Sequence, residues 1–272
     1  MDEKEVIERT QKEPATVPSL MADLSALGVA PGMALIVHSS LSSLGWVSGG
    51  AQAVVLALEN VLTPAGTLVM PTHSGALSDP ANWQNPPVPE LWWETIRQTM
   101  PAFDAGLTPT RHMGAIPECF RKQTDVLRSS HPQMSFAAWG AQAATITANH
   151  TLEFGLGEGS PLARIYELDG WVLLLGVGNR NNTSLHLAEY RAGYPGKRVM
   201  VCGAPVMLED RRQWVEYRDI DVDSDDFHII GEQFGKETGL VRSGPVACAT
   251  ALLMPQHPLV DYAVRWLEKN RR

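Results

Sequence analysis

The feature that most constrains the fold is a strand–helix–strand pattern between residues 33 and 71. Two apolar runs of strand length, MALIVH at 33–38 and TLVMP at 67–71, are separated by the segment AQAVVLALENVL at 51–62. The apolar residues of that segment recur at helical spacing and form one stripe. Strands joined by such a helix pair in parallel through a right-handed crossover, and strands buried on both faces are continuously apolar. The sequence therefore predicts an α/β fold with a central, mostly parallel sheet flanked by helices.

The remaining sequence divides around this unit. WVLLLGVG at 171–178 predicts a third buried strand, whereas the pattern after about residue 199 predicts a long hairpin, a helix, two short strands and a terminal helix. We expect residues 1–16 to be a charged lead-in and residues 17–272 to form a single domain. Within that domain, about 199–256 is predicted to be a smaller C-terminal hairpin and helix subdomain.

Charge balance and cysteine content narrow the class of protein. The 272 residues contain 22 Lys+Arg against 30 Asp+Glu, a formal net charge of −8, and three scattered cysteines. Proteins that bind nucleic acid place clustered Lys and Arg against phosphates, so the acid excess argues against that class and favours a cationic small-molecule partner. The cysteines favour a reducing cytosol. No stretch reaches the roughly 18 apolar residues of a membrane span and the N-terminal segment lacks an apolar signal core, so we expect a cytoplasmic protein with no membrane partner.

Polar residues follow each of the three predicted buried strands at its carboxyl end. Loops at this edge of an open parallel sheet bind ligands, because they present unpaired N–H groups and adaptable side chains. We therefore expect the three loops to meet at one site. They are His38-Ser39-Ser40, Thr72-His73-Ser74 and the segment 179–183.

The first of these loops, HSSLSSLGWVSGG at 38–50, is rich in small hydroxyl residues, carries no acid and leads into a helix. The N–H groups at a helix start favour a phosphate. The loop lacks both GxGxxG and GxxxxGK[ST], which excludes the usual dinucleotide and Walker sites. An anion site and an ordinary polar loop are both compatible with this composition.

The segment NNTSLHLAEYRAG predicts a helix that begins after Thr183, with His186 in its first turn and Glu189 three residues later. Residues at this spacing share a helical face, so the imidazole and the carboxylate can touch. A carboxylate fixes the tautomer of a histidine and stabilises the proton that it captures, as a general base requires. The alternative is a solvated surface helix with a chance pair, because this spacing is common.

The other histidines carry weaker signals. His38 and His73 border the predicted site, either as polar contacts or as structural histidines. No pair has the HxxxH or HExxH spacing of metal ligands, so we expect no catalytic metal. The rest stand in loops or beside proline and are expected at the surface: His112, His131, His150, His228 and His257.

Acidic residues crowd the predicted hairpin and its exit. Such a block is usually a solvated face. If the fold turns it toward the active site, it becomes an electrostatic trap for a polycation, which Asp79 could join. The block comprises Glu216, Asp219, Asp221, Asp223, Asp225 and Asp226.

Several long phrases together resemble one known family, the antibiotic N-acetyltransferases typified by aminoglycoside 3-N-acetyltransferases. The resemblance runs from about Leu20 to the C-terminal helix and is carried by VHSSLSSLGWVSGGAQAV, TLVMPT, TPTRHMGAIPECFR, SSHPQMSFAAWG, GEGSPLARIYELDGWVLLLGVG and NTSLHLAEYR. It implies an enzyme that uses acetyl-coenzyme A to acetylate the 3-amine of the deoxystreptamine ring of a cationic aminoglycoside. Direct transfer in a ternary complex is expected, in a monomer or homodimer.

The resemblance also implies roles for individual residues. His186 matches the family's catalytic histidine and Glu189 its carboxylate partner, while Thr183, Thr72 or a loop N–H is expected to donate to the developing oxyanion. The acidic pattern DIDVDSDDF is similar to that of relatives that bind antibiotic, which implies acceptor contacts from Asp221, Asp223 and Asp225, and the electrostatic argument adds Asp79. The coenzyme contacts that the resemblance implies are Ser39, Ser40, Leu41, Ser42, Ser43, Thr110 and Met113. Their places at the strand ends and at the helix start add His38, Thr72, Gly49 and Gly50.

Three other functions compete with this one. An acetyltransferase of the same fold could act on a non-aminoglycoside amine, which acceptor specificity would reveal. A non-catalytic protein that binds coenzyme A or a nucleotide would use the same sheet edge and leave the His186 and Glu189 pair idle. A hydrolase using Ser40 or Ser42 lacks the GxSxG elbow that places a serine on a strand–helix turn.

Overall fold

The structure is a computed structural model that describes residues 3–10 and 13–272; residues 1, 2, 11 and 12 of the predicted lead-in lie outside the described residues. The strands are β1 (Ala34–Ser39), β2 (Thr67–Pro71), β3 (Leu127–Arg128), β4 (Phe136–Gly140), β5 (Trp171–Leu175), β6 (Val199–Leu208), β7 (Arg211–Ile220), β8 (Arg242–Val246) and β9 (Ala249–Pro255). The α-helices are α1 (Glu3–Arg9), α2 (Val17–Leu27), α3 (Gly50–Leu62), α4 (Trp93–Thr99), α5 (Ala115–Phe120), α6 (Ala143–Thr147), α7 (Pro161–Glu167), α8 (Ser184–Arg191), α9 (Phe227–Thr238) and α10 (Gln256–Asn270).

Seven strands form the central sheet in the order β3-β4-β2-β1-β5-β9-β8. The three predicted strands are its centre: β1 pairs in parallel with both β2 and β5. This confirms the α/β class and the crossover inferred from the sequence. The outer strands differ, because β4 and β9 run antiparallel to their central neighbours and β3 and β8 extend the two edges antiparallel.

The central strands are continuously apolar because helices cover both faces of the sheet. Leu35 and Val37 of β1 pack on the side of α2 and α3, whereas Ile36 packs on the opposite side with residues of α7, α8 and α10. All three side chains are fully buried. Burying such side chains contributes about 1.5–3 kcal/mol each before the entropy cost of ordering the chain. Because both faces of the central sheet are covered, ligands can reach these strands only at their ends.

The C-terminal third contributes to two sheets. The hairpin β6–β7 forms a separate two-stranded sheet, with Leu208 opposite Arg211 and positive φ angles at Glu209 and Asp210 in its turn. Strands β8 and β9 join the central sheet instead, because the apolar run of β9 lies fully paired along β5. The separate sheet therefore ends at residue 220, inside the predicted 199–256 subdomain. Within the part of the chain that the structure describes, none of the helices is both long and apolar enough to cross a membrane.

Candidate active site

The loops after the three central strands meet, as the parallel order requires. A cavity of about 100 Å³ lies at the carboxyl ends of β1, β2 and β5, and β2 contributes its last residue, Pro71. Three residues expected at the coenzyme site line it: His38, Ser39 and Met113. Thr183, the last residue before α8, lines it as well. The full lining is Val37, His38, Ser39, Pro71, His112, Met113, Pro117, Val177, Asn181 and Thr183.

Helix α8 carries the histidine and the glutamate into contact. It begins at Ser184, whose N–H donates to the Asn182 side chain at 3.2 Å, so the Thr183 hydroxyl does not cap the helix. The Nδ1 of His186 lies 2.5 Å from Oε2 of Glu189. Because the carboxylate accepts at Nδ1, the remaining ring nitrogen, Nε2, is the atom that can take a proton from a ligand.

Glu189 is fully buried, unlike the carboxylate of a surface pair. Its second oxygen, Oε1, accepts hydrogen bonds from the backbone N–H of Asp223, at 3.0 Å, and from the guanidinium of Arg271. The His186 side chain is 16% exposed and its ring meets the Phe227 ring edge-on at 4.8 Å between centroids. The arrangement is a fixed carboxylate behind an accessible imidazole, which argues against the solvated-helix alternative.

Two further histidines lie close enough to His186 to interact with its charge. Burial lowers the pKa of His38 to about 3 and that of His73 to about 3, and the proximity of His186 adds to both shifts. Each has a buried Nε2 with no hydrogen-bond partner within the described residues. Both imidazoles are therefore neutral at physiological pH. Each offers an unpaired polar atom near the pair of His186 and Glu189, which we call the dyad.

The serine-rich loop forms a short 3₁₀ turn, Leu41–Leu44, after β1. Its hydroxyls bond one another: Ser43 donates to Ser40 at 2.9 Å, and the hydroxyls of Ser40 and Ser42 are 3.3 Å apart. Gly176, at φ 72°, passes close beneath the loop, since an added Cβ would lie 2.6 Å from Cβ of Ser43. The packed backbone of β5 thus holds this loop in place.

A second cavity of about 500 Å³ extends from the same loop toward the start of α3. Gly49 precedes α3 in a left-handed conformation with no side-chain cap, and the first turn of the helix contains no acid. The N–H groups at this helix start therefore suit an anion. The cavity is lined by Val6, Leu41, Ser42, Gly45, Trp46, Val47, Gly49 and Gly50.

Three predicted site residues are hydrogen-bonded to side chains outside the cavity at the strand ends. Thr72 is fully buried, and its hydroxyl contacts Ser135 at 3.2 Å and the guanidinium of Arg128. The hydroxyl of Thr110 donates to Glu118 at 2.8 Å. The carboxylate of Asp79 accepts two hydrogen bonds from the guanidinium of Arg97 on α4. None of the three lines the cavity at the strand ends.

The acidic block is divided by the fold. Asp219 is buried and accepts from the hydroxyl of Tyr190 at 2.5 Å, and burial raises the pKa of its carboxyl. Asp226 is paired with Arg271. The predicted acceptor residues Asp221, Asp223 and Asp225 are exposed, and they lie on the segment whose backbone N–H contacts Glu189.

The prediction that His131 and His150 lie at the surface is wrong. They are 1% and 7% exposed, and their rings are 4.9 Å apart. Hydrogen bonds fix both: Nδ1 of His131 accepts from two backbone N–H groups, and His150 contacts Ser129 and the carbonyl of Gly155. These two histidines connect loop 149–159 to the sheet. Their sequence neighbours give no indication of this structural role.

Arg271 was missed by the sequence-based reasoning, because it lies 82 residues beyond Glu189 and outside any recognisable motif. The buried Asp219 was assigned only to the acidic block.

Among the described residues, no three His, Cys, Asp or Glu side chains are grouped so that they could hold a metal ion.

An α/β sheet edge with a carboxylate-oriented histidine and an anion-favouring helix start defines an enzyme site suited to acyl transfer from an anionic carrier. The comparisons with known proteins agree with that class. The family model described as aminoglycoside 3-N-acetyltransferase matches residues 36–268. The chain belongs to this family, and the predicted enzyme class, an aminoglycoside N3-acetyltransferase, is confirmed.

Individual relatives cover nearly the whole chain. The chain is 46% identical, over 98% of its length and 97% of the relative's, to the SPbeta prophage-derived aminoglycoside N(3')-acetyltransferase-like protein YokD of Bacillus subtilis (strain 168). The crystal structure of YokD superposes with a TM-score of 0.95 at 45% identity, covering 98% of both chains.

Two ligand-bound structures are also similar. AAC-IIIb in a binary complex with CoASH has a TM-score of 0.84 and 34% identity, with 94% of this chain and 97% of that chain covered. AAC-VIa bound to sisomicin has a TM-score of 0.85 and 30% identity, with 94% and 98% covered.

Proposed function

We propose that this protein transfers the acetyl group of acetyl-coenzyme A to the 3-amine of a 2-deoxystreptamine aminoglycoside, with His186 as general base. The observation that carries the proposal is the 2.5 Å contact between Nδ1 of His186 and a carboxylate that is itself fully buried. An imidazole that is held in one tautomer and is still 16% exposed is suited to remove a proton from an attacking amine.

The proposed reaction proceeds directly within a ternary complex. The bound thioester supplies the acetyl group. The amine nitrogen attacks the thioester carbonyl, and His186 accepts the amine proton at Nε2, directly or through a water. Glu189 keeps the ring oriented and stabilises the imidazolium. The C–S bond then breaks, and the coenzyme leaves as its thiol with the proton that His186 returns, which restores the neutral base. A developing oxyanion needs a donor. Thr183 is the better candidate, because it lines the cavity whereas the hydroxyl of Thr72 is already bonded to neighbours.

The residues present fit an anionic coenzyme. The cavity beside Gly49 and Gly50 offers the uncapped start of a 13-residue helix, and the loop 38–50 contains no acidic side chain. Trp46, which lines the same cavity and is 36% exposed, can stack on a purine. We assign the phosphates to this helix start and the thioester end to the smaller cavity beside His38. The CoASH complex of AAC-IIIb supports the same choice of ligand.

A cationic acceptor suits the acidic segment next to Glu189. Asp221, Asp223 and Asp225 are exposed on the segment that contacts Glu189 through its backbone. Exposed carboxylates beside a site raise the local concentration of a polycation, and the effect is screened by salt. The sisomicin complex of AAC-VIa supports an aminoglycoside acceptor. A cytoplasmic location and a monomeric or homodimeric state remain predictions.

The test is release of coenzyme A thiol from acetyl-coenzyme A across a panel of aminoglycosides and simple amines, with NMR identification of the acetylated nitrogen. We expect thiol release with deoxystreptamine aminoglycosides and acetylation at the 3-amine. Turnover of simple amines alone would support the alternative of a different acceptor. Binding of acetyl-coenzyme A without any transfer would support the non-catalytic alternative.

A further inference from the structure

The chain returns to the dyad at its C-terminus. Helix α10 ends at Asn270, and the next residue, Arg271, adopts an extended conformation that directs its guanidinium to Glu189. Its side chain is only 12% exposed. The family match ends at residue 268, so Arg271 lies outside the segment that the comparison covers.

Glu189 needs such a partner. Its carboxylate has no exposure to solvent, and one oxygen is engaged by His186. An ionised carboxylate buried without a counter-charge is costly, and it reduces that cost by taking up a proton. A proton on the oxygen that faces His186 would turn that oxygen from a hydrogen-bond acceptor into a donor, and Glu189 would no longer accept from the Nδ1–H of His186. At the other oxygen, the guanidinium supplies a counter-charge and the Asp223 N–H a second donor.

Arg271 is itself held on several sides. It makes a two-point contact with Asp226, at 2.9 and 2.6 Å, and donates to the carbonyl of Asp223 at 2.7 Å. Its guanidinium also stacks over the Tyr194 ring, 5.1 Å from the centroid. Burial alone would lower the pKa of Arg271, but its hydrogen bonds to Asp226 and Glu189 outweigh that effect and raise it. The group is thus a permanent cation in a fixed position.

We propose that Arg271 is a positioning residue for the dyad: it keeps Glu189 ionised and oriented, so that Glu189 fixes the His186 ring. Arg271 acts through Glu189 and does not touch the substrate. The proposal rests on the proposed function, in which His186 is the base. The other charged or titratable groups that interact with the dyad are His38, His73, Tyr190, Tyr194, Lys197 and Asp219.

The test compares Arg271→Gln and Arg271→Lys with the matched control Arg272→Gln, an exposed neighbour. We expect Arg271→Gln to lower kcat by tenfold or more with the KM for acetyl-coenzyme A unchanged. Loss of a cation beside the dyad stabilises the protonated base, so the acidic limb of the kcat–pH profile should move up by roughly one pH unit. Arg271→Lys keeps the charge and should restore the position of that limb but not the full kcat, because one ammonium cannot form the two-point contact.

A second readout does not depend on activity. The Nδ1–H proton of His186 should give a downfield NMR resonance, identified by its loss in His186→Ala. We expect Arg271→Gln to shift or broaden this resonance and Arg272→Gln to leave it unchanged. If that dependence is found but no acetyl transfer occurs, the positioning role stands and the proposed function fails.

Two results would overturn the positioning role. One is a folded Arg271→Gln protein with the wild-type resonance and an unshifted pH profile. The other result applies if Arg271→Gln does not fold. In that case, an Arg271→Lys protein with both the wild-type kcat and the wild-type His186 resonance would contradict the positioning role.

Discussion

Lowering the pH from 7 to 5 should destabilise this protein strongly, because it buries neutral histidines. His38, His131 and His150 are 5%, 1% and 7% exposed, and burial lowers their pKa values to about 3, 4 and 3. In the unfolded chain a histidine has a pKa of about 6.5. Between these values the unfolded state binds more protons than the folded state, so stability falls as the pH drops.

The magnitude follows from this linkage. At pH 5 each of these histidines favours the unfolded state by about 2 kcal/mol relative to pH 7, which gives about 6 kcal/mol for the three. Asp219, whose pKa burial raises, acts in the opposite direction but is a single group. Most domains are stable by only about 5–15 kcal/mol, so the predicted loss is a large fraction of the total.

Urea unfolding at pH 7 and pH 5, followed by tryptophan fluorescence at fixed ionic strength, measures the effect directly. His150→Gln keeps an amide that can donate to the Gly155 carbonyl and should reduce the pH difference by about 2 kcal/mol. The exposed His112, changed to Gln, is the control and should leave the difference as it is. Equal stability at the two pH values, within about 1 kcal/mol, would refute this reasoning.

Two further predictions concern the dyad and the acidic segment. Glu189→Gln should lower kcat by roughly 10²–10⁴, because an amide can present N–H rather than oxygen to His186 and favour the wrong tautomer. The exposed Glu158, changed to Gln, is the control. A wild-type kcat for Glu189→Gln would exclude the orienting role. Changing Asp221, Asp223 and Asp225 together to Asn should raise the aminoglycoside KM, with little effect on that for acetyl-coenzyme A and a smaller effect at high salt. Unchanged KM values at low salt would assign these acids to a solvated face.

The centre of the fold was predictable because its signals are local. Continuous apolar runs and the helical stripe between them identified β1, α3 and β2, and the parallel order then placed His38 and Thr183 at one edge of the sheet. The His186 and Glu189 contact was predictable for the same reason, since a spacing of three residues on a helix determines which side chains meet.

Other features depend on partners that are distant in sequence. The apolar run of β9 does not reveal that it pairs antiparallel with β5 rather than forming a subdomain. His131 contacts the Leu152 carbonyl of another loop, and His150 contacts the distant Ser129 hydroxyl. The hydroxyl of Thr72 is likewise bonded to Ser135 and Arg128. The Arg271 contact depends on the packing of α10 against α8, which brings the residue after α10 to Glu189.

The most direct test of the account is the turnover of His186→Ala, measured as thiol release from acetyl-coenzyme A with a saturating aminoglycoside. The account predicts a rate lower by roughly 10²–10⁴, with acetyl-coenzyme A binding and thermal unfolding close to wild type. His257→Ala, on the far side of the domain beside Tyr166 and Asp261, should retain the wild-type rate. Thiol release by His186→Ala near the wild-type rate would contradict the assignment of His186 as the general base.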